Sequence, residues 1–419
     1  MAEGNNVLTV TLKQRSPYVT HKGYGPVLRE SELKPALRRF LEILLTKKCL
    51  WPKDWDKELL GKNIEATRNV WGRLHCRVEN NEAEEDNTLL SLSININGET
   101  KYFQYYPDVI CQKDTTAKRL IAKENIKVAF RIRNCQDVDL AWLEPIFPIF
   151  FAGTTFGRRG SKGFGGFYPN NCSDFENSLT IYAQLYNMDL YKREACGIMD
   201  TRIKIILDDW RTIRMGVRDN RGVYKNISIL RHYFFYKYNK STEKRFVKRN
   251  FSGMVLGRKP HSQYCDTDSK PTINEGQAYA RALLGYAPSM PWGNKTVTST
   301  HDQKDIHGKK VMQQKIERFR SPVQFHLGVE NGIYVLVGES TPLLGKTFRF
   351  SVSGQDINKN LDTPSDFNLK EFFEYCLGNS IESQSDNPNG SQPPPFLRTQ
   401  PREGASVQTY VKIFPPKKS

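Results

Sequence analysis

Between Gly157 and Gly166 the chain packs five glycines and three cations into ten residues, Gly-Arg-Arg-Gly-Ser-Lys-Gly-Phe-Gly-Gly. Each glycine costs a helix or strand interior roughly 0.5–1 kcal/mol relative to alanine, so no regular element runs through such a stretch. It must be a loop, and it directly follows an apolar, helix-like run that ends near Gly153. Glycine lets a partner approach the main chain, while arginine, lysine and exposed N–H groups suit a phosphate. Phe156, Phe164 and Phe167 interleave with the cations, a pattern that suits base stacking beside phosphate contact. A β-hairpin turn with solvated cations is the alternative. From Gly157 to Lys162 the spacing is wrong for a Walker-type phosphate loop, so ATP hydrolysis is not supported.

Composition narrows the partner. The 419 residues carry 62 Lys and Arg against 45 Asp and Glu, a formal net charge of +17, with the basic residues spread along the whole chain. Such an excess suits a nucleic acid or another polyanion. With 38% hydrophobic and 11% aromatic residues the chain can build real cores, which argues against global disorder. No apolar run approaches the ~20 residues of a membrane span. The start, Met1 to Asn6, lacks the cationic and apolar regions of a secretory signal. A cytoplasmic protein without a membrane partner is expected. Eight scattered cysteines include no Cys-x-x-Cys pair, which fits free thiols and gives no metal site. No cofactor is expected.

Length allows two domains and a tail. Alternation predicts strands over Val7–Leu12, Val70–Val78, Thr88–Asn97 and Val128–Arg133; Arg73, His75 and Arg77 then share one face. Apolar spacing predicts a helix over Ser31–Leu45, with Pro35 in its first turn, and another over Asp139–Phe151. This order is α+β, built from β-α-β units. The second half opens near Ser178 with a helix over Leu179–Tyr191 and short strands at Ile203–Leu207 and Arg214–Val217. There follow a basic-aromatic stretch over 231–259, a helix over Glu275–Leu284 and a mobile loop over Gly293–Lys310. Arg318–Leu327 and Ile333–Val337 read as two adjacent strands, and a helix over Phe367–Leu377 closes the fold. After Gly378 Ser, Asn, Gln and Pro dominate, which predicts a flexible tail whose Val407–Phe414 becomes a strand only with a partner. The expected division is 1–175, 176–378 and 379–419.

Three further groups could carry chemistry. Lys34 and Arg38 share a helix face by i, i+4 spacing, with Arg39 beside them. Alone they describe a solvated face; beside a glycine-bearing loop (20–29) and a basic strand they suit phosphate tracking. His21, in that loop, is either an exposed histidine or the general base of an RNA-cleaving site. Asp208-Asp209 is a metal candidate only in the weakest sense, and no metal site is expected.

Taken together these residues resemble a family. Leu28-Arg-Glu-Ser-Glu-Leu-Lys-Pro-Ala-Leu-Arg-Arg39 is similar to the helix start of the repeat-associated mysterious proteins (RAMPs) of CRISPR systems, and Gly157–Gly165 resembles their glycine-rich signature. Within that superfamily the likeness is to the first subunit of the Cmr (type III-B) effector complex. Lys57-Glu-Leu-Leu-Gly61, Ala282-Leu-Leu-Gly285 and Arg318-Phe-Arg-Ser-Pro322 resemble its further segments, in order, over about 5 to 377. Pro35 stands where the family usually has glycine, Thr154-Thr155 replace paired glycines, and Lys162 replaces an arginine.

The resemblance implies two tandem ferredoxin-like (RRM-like) domains with a glycine-rich loop. It implies a non-catalytic RNA-binding subunit at the end of the effector filament, near the 3′ end of the guide RNA. Its partners would be guide (CRISPR) RNA, target RNA and other RAMP subunits. On this reading the RNA contacts are Lys34, Arg38, Arg39, Gly157, Arg158, Arg159, Gly160, Ser161, Lys162, Gly163, Phe164 and Gly165. A guide-processing endoribonuclease using His21, or a general RNA-binding module outside CRISPR, are the alternatives.

Overall fold

A computed structural model describes residues 7–19, 27–53, 55–80, 82–85, 91–96, 99–104, 119–133, 139–214, 216–218, 224–226, 228–243, 246, 276–286, 289–292, 295–301, 320–339, 342–352, 355–378, 397 and 409–415. The first half is built on β1 (Val7–Gln14), β2 (Leu74–Glu79), β3 (Ile126–Ile132) and β4 (Phe167–Pro169). They form an antiparallel sheet in the order β2-β3-β1-β4. Between β1 and β2 come α1 (Glu30–Thr46) and α2 (Lys57–Asn69); α3 (Phe147–Gly153) lies between β3 and β4. Alternation decides the faces: Val10, Leu12, Ile126, Val128 and Phe130 are buried, while Thr9, Lys13, Lys127 and Arg131 are exposed. Against the buried face α1 sets Leu33, Leu37, Phe40, Leu41 and Leu44. Burying such side chains contributes roughly 1.5–3 kcal/mol each. Asp56 caps α2 by accepting from the N–H groups of Glu58 and Leu59.

The second half repeats the plan. β5 (Asp189–Arg193), β6 (Val323–Leu327), β7 (Ile333–Val337) and β8 (Val411–Phe414) form an antiparallel sheet in the order β6-β7-β5-β8. Numbered within each half, both sheets read second-third-first-fourth. Here α5 (Met199–Arg214) and α6 (Ile229–Tyr238) separate the first two strands, and α7 (Leu369–Cys376) separates the last two. Linking the halves, α4 (Phe175–Leu185) packs in the first core. The second sheet is buried on both faces. Tyr191, Phe325 and Val335 join the core of α5, α6 and α7, whereas Leu190, Tyr334 and Leu336 join the first core. A six-stranded sheet built from 241–301 and 347–362 is inserted with its own small core around Tyr279, Phe348 and Phe350.

Several expectations are corrected. Ile203–Leu207 and Arg214 belong to one helix, α5, whose Ile203, Ile206, Leu207, Trp210 and Ile213 recur at helical spacing on its buried face. Asp189 to Tyr191 is strand, not the end of a helix. Trp71–Arg73 is a short helical turn, so Arg73 leaves the strand that carries His75 and Arg77. Pro35 falls in the second turn of α1, since the helix starts at Glu30. Residues 280–284 make only a 3-10 turn, and Lys295–His301, expected as mobile loop, is a strand. The tail ends in β8, whose partner is β5, while Leu397 is buried and donates its N–H to Cys376 O at 3.0 Å. Among the described residues, Cys49, Cys76, Cys172, Cys196 and Cys376 are free thiols.

Candidate nucleic-acid interface

The glycine-rich loop is a seam between the two halves. Thr155 bridges Gly166 across its base, and Lys162 bridges Phe325 of β6, the edge strand of the second sheet. Phe325 donates its N–H to Ser161 O at 3.0 Å. On the first-half side, Gly165 donates to Pro17 O (2.9 Å), Arg158 to Val19 O (3.0 Å) and Gly166 to Ser16 Oγ (2.8 Å). Glycine is required where backbones cross. At Gly165, with φ +70°, a Cβ would stand 1.8 Å from Phe156 O; at Gly157, with φ +73°, it would stand 2.6 Å from the Tyr18 ring.

This packing revises the sequence picture. The main-chain N–H groups of Phe156, Arg158, Lys162, Gly163, Gly165 and Gly166 are spent inside the protein, so an anion nest has fewer donors than the composition implies. Phe164 is fully buried among the second core, and Phe156 and Phe167 lie in the first, which removes all three from a base-stacking surface. Lys162 is buried with its ammonium 5.7 Å from the centre of the Trp210 ring. Gly160, Gly163 and Gly165 are buried; Gly157, Arg158, Arg159 and Ser161 keep partial exposure on the rim. Arg159 adopts φ +64°, a left-handed conformation that costs a non-glycine residue about 1–2 kcal/mol.

The helix cations diverge. Arg39 is exposed and lies near Tyr182, Tyr186 and Arg320: burial raises the pKa of both tyrosines, with the Arg39 charge opposing the rise, and burial first, then Arg39, lowers that of Arg320. Arg320 in turn donates to Thr155 Oγ1 at the loop's base. Arg39, Arg320 and the rim arginines Arg158 and Arg159 therefore belong to one neighbourhood around the loop. Arg38 instead pairs with Glu42 at 3.0 Å, beside Arg68 and Trp71. Lys34 acts on His75 and Cys76 at the edge strand β2. Helical spacing explains the split, since residue 39 points about 100° away from residue 38. His21 lies outside the described residues, as do 247–259 of the basic-aromatic stretch; of its start, Tyr233 and Phe234 are core.

Two residues, Arg15 and His326, escaped the sequence reading. Arg15 is buried at the junction of the halves, with its guanidinium 4.4 Å from the centre of the Phe175 ring. It donates to Phe167 O (3.1 Å), Phe151 O (3.2 Å) and Ala152 O (3.3 Å) of the first half and to Leu327 O of β6. Burial lowers its pKa, yet a guanidinium stays charged at neutral pH. His326 is buried near Arg15 and Arg320, and burial first, then these cations, hold its imidazole neutral. A signal existed: Arg15-Ser16-Pro17 recurs as Arg320-Ser321-Pro322, one triplet in each half. Of the acidic pair, Asp209 is structural. Asp209 accepts from Arg193 Nη1 (2.9 Å) and Tyr410 OH (2.8 Å), which anchors the residue preceding β8.

Two antiparallel sheets of the same strand order, one in each half, with helices packed on them and a cationic glycine loop at their seam, define a two-domain α+β protein. Residues 5–217 match the family model described as the Cmr1 N-terminal domain, and residues 225–400 match that of the Cmr1 C-terminal domain. The chain belongs to the Cmr1 family of CRISPR-associated proteins and is a subunit of the multi-subunit type III-B Cmr effector complex. The family boundary falls after α5, whereas the two sheets divide between α4 and β5. No curated protein and no solved structure matches the chain. Among the described residues no helix is long and apolar enough to cross a membrane.

Proposed function

We propose that this chain is a non-catalytic, cytoplasmic RNA-binding subunit of the Cmr complex, made of two ferredoxin-like (RRM-like) modules. It would sit at the filament end near the 3′ end of the guide RNA and help assemble guide and target. The strand order second-third-first-fourth in both sheets supports the fold reading, because it is a β-α-β unit split by a third strand. The observation that carries the RNA reading is the gathering of Arg39, Arg320, Arg158 and Arg159 around the glycine loop. Arginines clustered on a glycine-containing rim hold phosphate oxygens by paired N–H donors. Binding would fall steeply with salt, because each neutralised phosphate releases counterions.

The test is Arg158→Glu with Arg159→Glu in the complex reconstituted with its other subunits and a guide RNA. Guide retention or target capture should drop at least tenfold at 0.15 M salt while the thermal midpoint of the isolated chain holds. Undiminished RNA association would reduce the loop to a turn that joins two domains. Metal-independent cleavage of repeat RNA, abolished by His21→Ala, would instead establish the endoribonuclease reading.

A further inference from the structure

The first sheet has a face that no described element covers. Its register places three rows across the strands: Val7-Arg131-His75, Thr9-Ala129-Arg77 and Thr11-Lys127-Glu79, with Lys13 beyond them paired to Tyr168. Side chains two apart share a face, so Lys13, Lys127, Arg131 and Arg77 all project from this one, and all four are exposed. Arg133 continues the β3 series just past the strand's end. It lies near His75, whose pKa is lowered by burial first and then by Arg133, Lys34 and Arg131. Thr9, Thr11 and Ala129 form a floor of small side chains between these cations. Glu79 is the one acid in these rows, 3.5 Å from Arg77. No carboxylate among the described residues pairs with Lys13, Lys127, Arg131 or Arg133.

Chemistry selects the occupant. Unneutralised cations on a shallow floor repel one another, and a polyanion relieves that repulsion. No aromatic side chain of the described residues is exposed on this face, Tyr168 being buried, so bases have nothing to stack on. We propose that the open face of the first sheet is a second RNA-contacting surface, which tracks the phosphates of single-stranded RNA through Lys13, Arg77, Lys127, Arg131 and Arg133 without reading sequence. Lys34, which stands apart from the glycine loop, belongs to this surface at its β2 edge. The inference rests on the RNA-binding reading of the chain but not on the loop.

The test uses the purified full chain, a fluorescent 20-nucleotide oligouridine probe and a salt titration. Lys127→Gln with Arg131→Gln removes two cations from exposed strand positions and should leave the thermal midpoint unchanged. Affinity at 0.1 M salt should fall roughly tenfold, and the slope of log K against log salt should shrink by about 1.4, two phosphates at ~0.7 each. An oligoadenosine probe should behave alike. Unchanged affinity and slope in this variant overturn the proposal whatever the loop variant does. A variant that binds RNA normally but fails to join the other Cmr subunits also overturns it, and makes the face a protein-docking surface. If Arg158→Glu with Arg159→Glu has no effect while the sheet variant weakens binding, the loop reading fails and this one stands.

Discussion

The two halves share a strand order but use their sheets in opposite ways. In the first, no described element covers the face away from α1 and α3, which is cationic, with Arg131 and Lys127 exposed. In the second, the corresponding face is closed: Leu190, Tyr334 and Leu336 pack against α4 and the first core. The fourth strands differ as well. β4 follows the glycine loop directly, whereas β8 arrives from the end of the tail and is held by Tyr410 and by Lys412, whose ammonium lies 2.6 Å from Asp189. One topology thus serves as a surface in one half and as a two-sided core in the other. Alternating polar residues keep a face wet, while a run such as Ile333–Val337 is apolar on both sides and must be covered.

Arg15 joins these unlike halves, so its removal should break the comparison most. Arg15→Ala leaves four carbonyls without their donor and opens a cavity, at a cost of about 3–5 kcal/mol. Denaturant unfolding followed separately by tryptophan fluorescence and by far-UV circular dichroism should then show two non-coincident transitions. A single transition shifted by less than about 1 kcal/mol would mean that the halves are coupled elsewhere.

A smaller effect is expected from Tyr410→Phe. It removes the hydroxyl that donates to Asp209 in the buried Asp209–Arg193 pair, costs about 1–3 kcal/mol, and should loosen β8 without touching the first sheet. Hydrogen exchange should accelerate in β8 and β5 alone; equal acceleration in β1 would show that the tail strand supports the whole molecule.

The smallest effect contrasts two histidines, His75 on the open sheet and His232 in the second core, where it bonds the Tyr375 hydroxyl. Burial lowers the His232 pKa to about 4. Its folded pKa lies below the unfolded value near 6.5, so its stabilising effect is full above pH 6.5 and is lost as the pH falls towards 4. The difference in thermal midpoint between His232→Gln and the parent chain should therefore move in favour of the variant across that window. His75→Gln should give a difference of the same sign but smaller, because burial and the neighbouring cations also lower the His75 pKa. A flat profile for His232→Gln would place its imidazole in contact with water.

Much of the first half was legible. Val7–Leu12 and Val128–Arg133 alternate cleanly, and the structure pairs them as β1 and β3. Ile203–Leu207 misled because a short apolar run fits strand and helix alike; only the longer spacing to Trp210 and Ile213 reveals α5. The aromatics of the glycine loop misled for a different reason. Interleaved Phe and Arg describe a stacking surface equally well as a buried seam, and the choice depends on Phe325 and Trp210, which are distant in sequence.

By itself the amino-acid sequence determined the α+β class, the glycine stretch as a loop, the family resemblance and the cationic excess of +17, because periodicity, glycine conformation and net charge are local or additive quantities. Tertiary structure decided which cations stand together. Arg39 meets Arg320, 281 positions later, while Lys34 turns to His75 and Lys162 sinks beside Trp210. It also decided that the tail's last strand completes the second sheet. Those outcomes depend on long-range pairing and on the competition between burying and solvating a side chain, which no window of sequence contains.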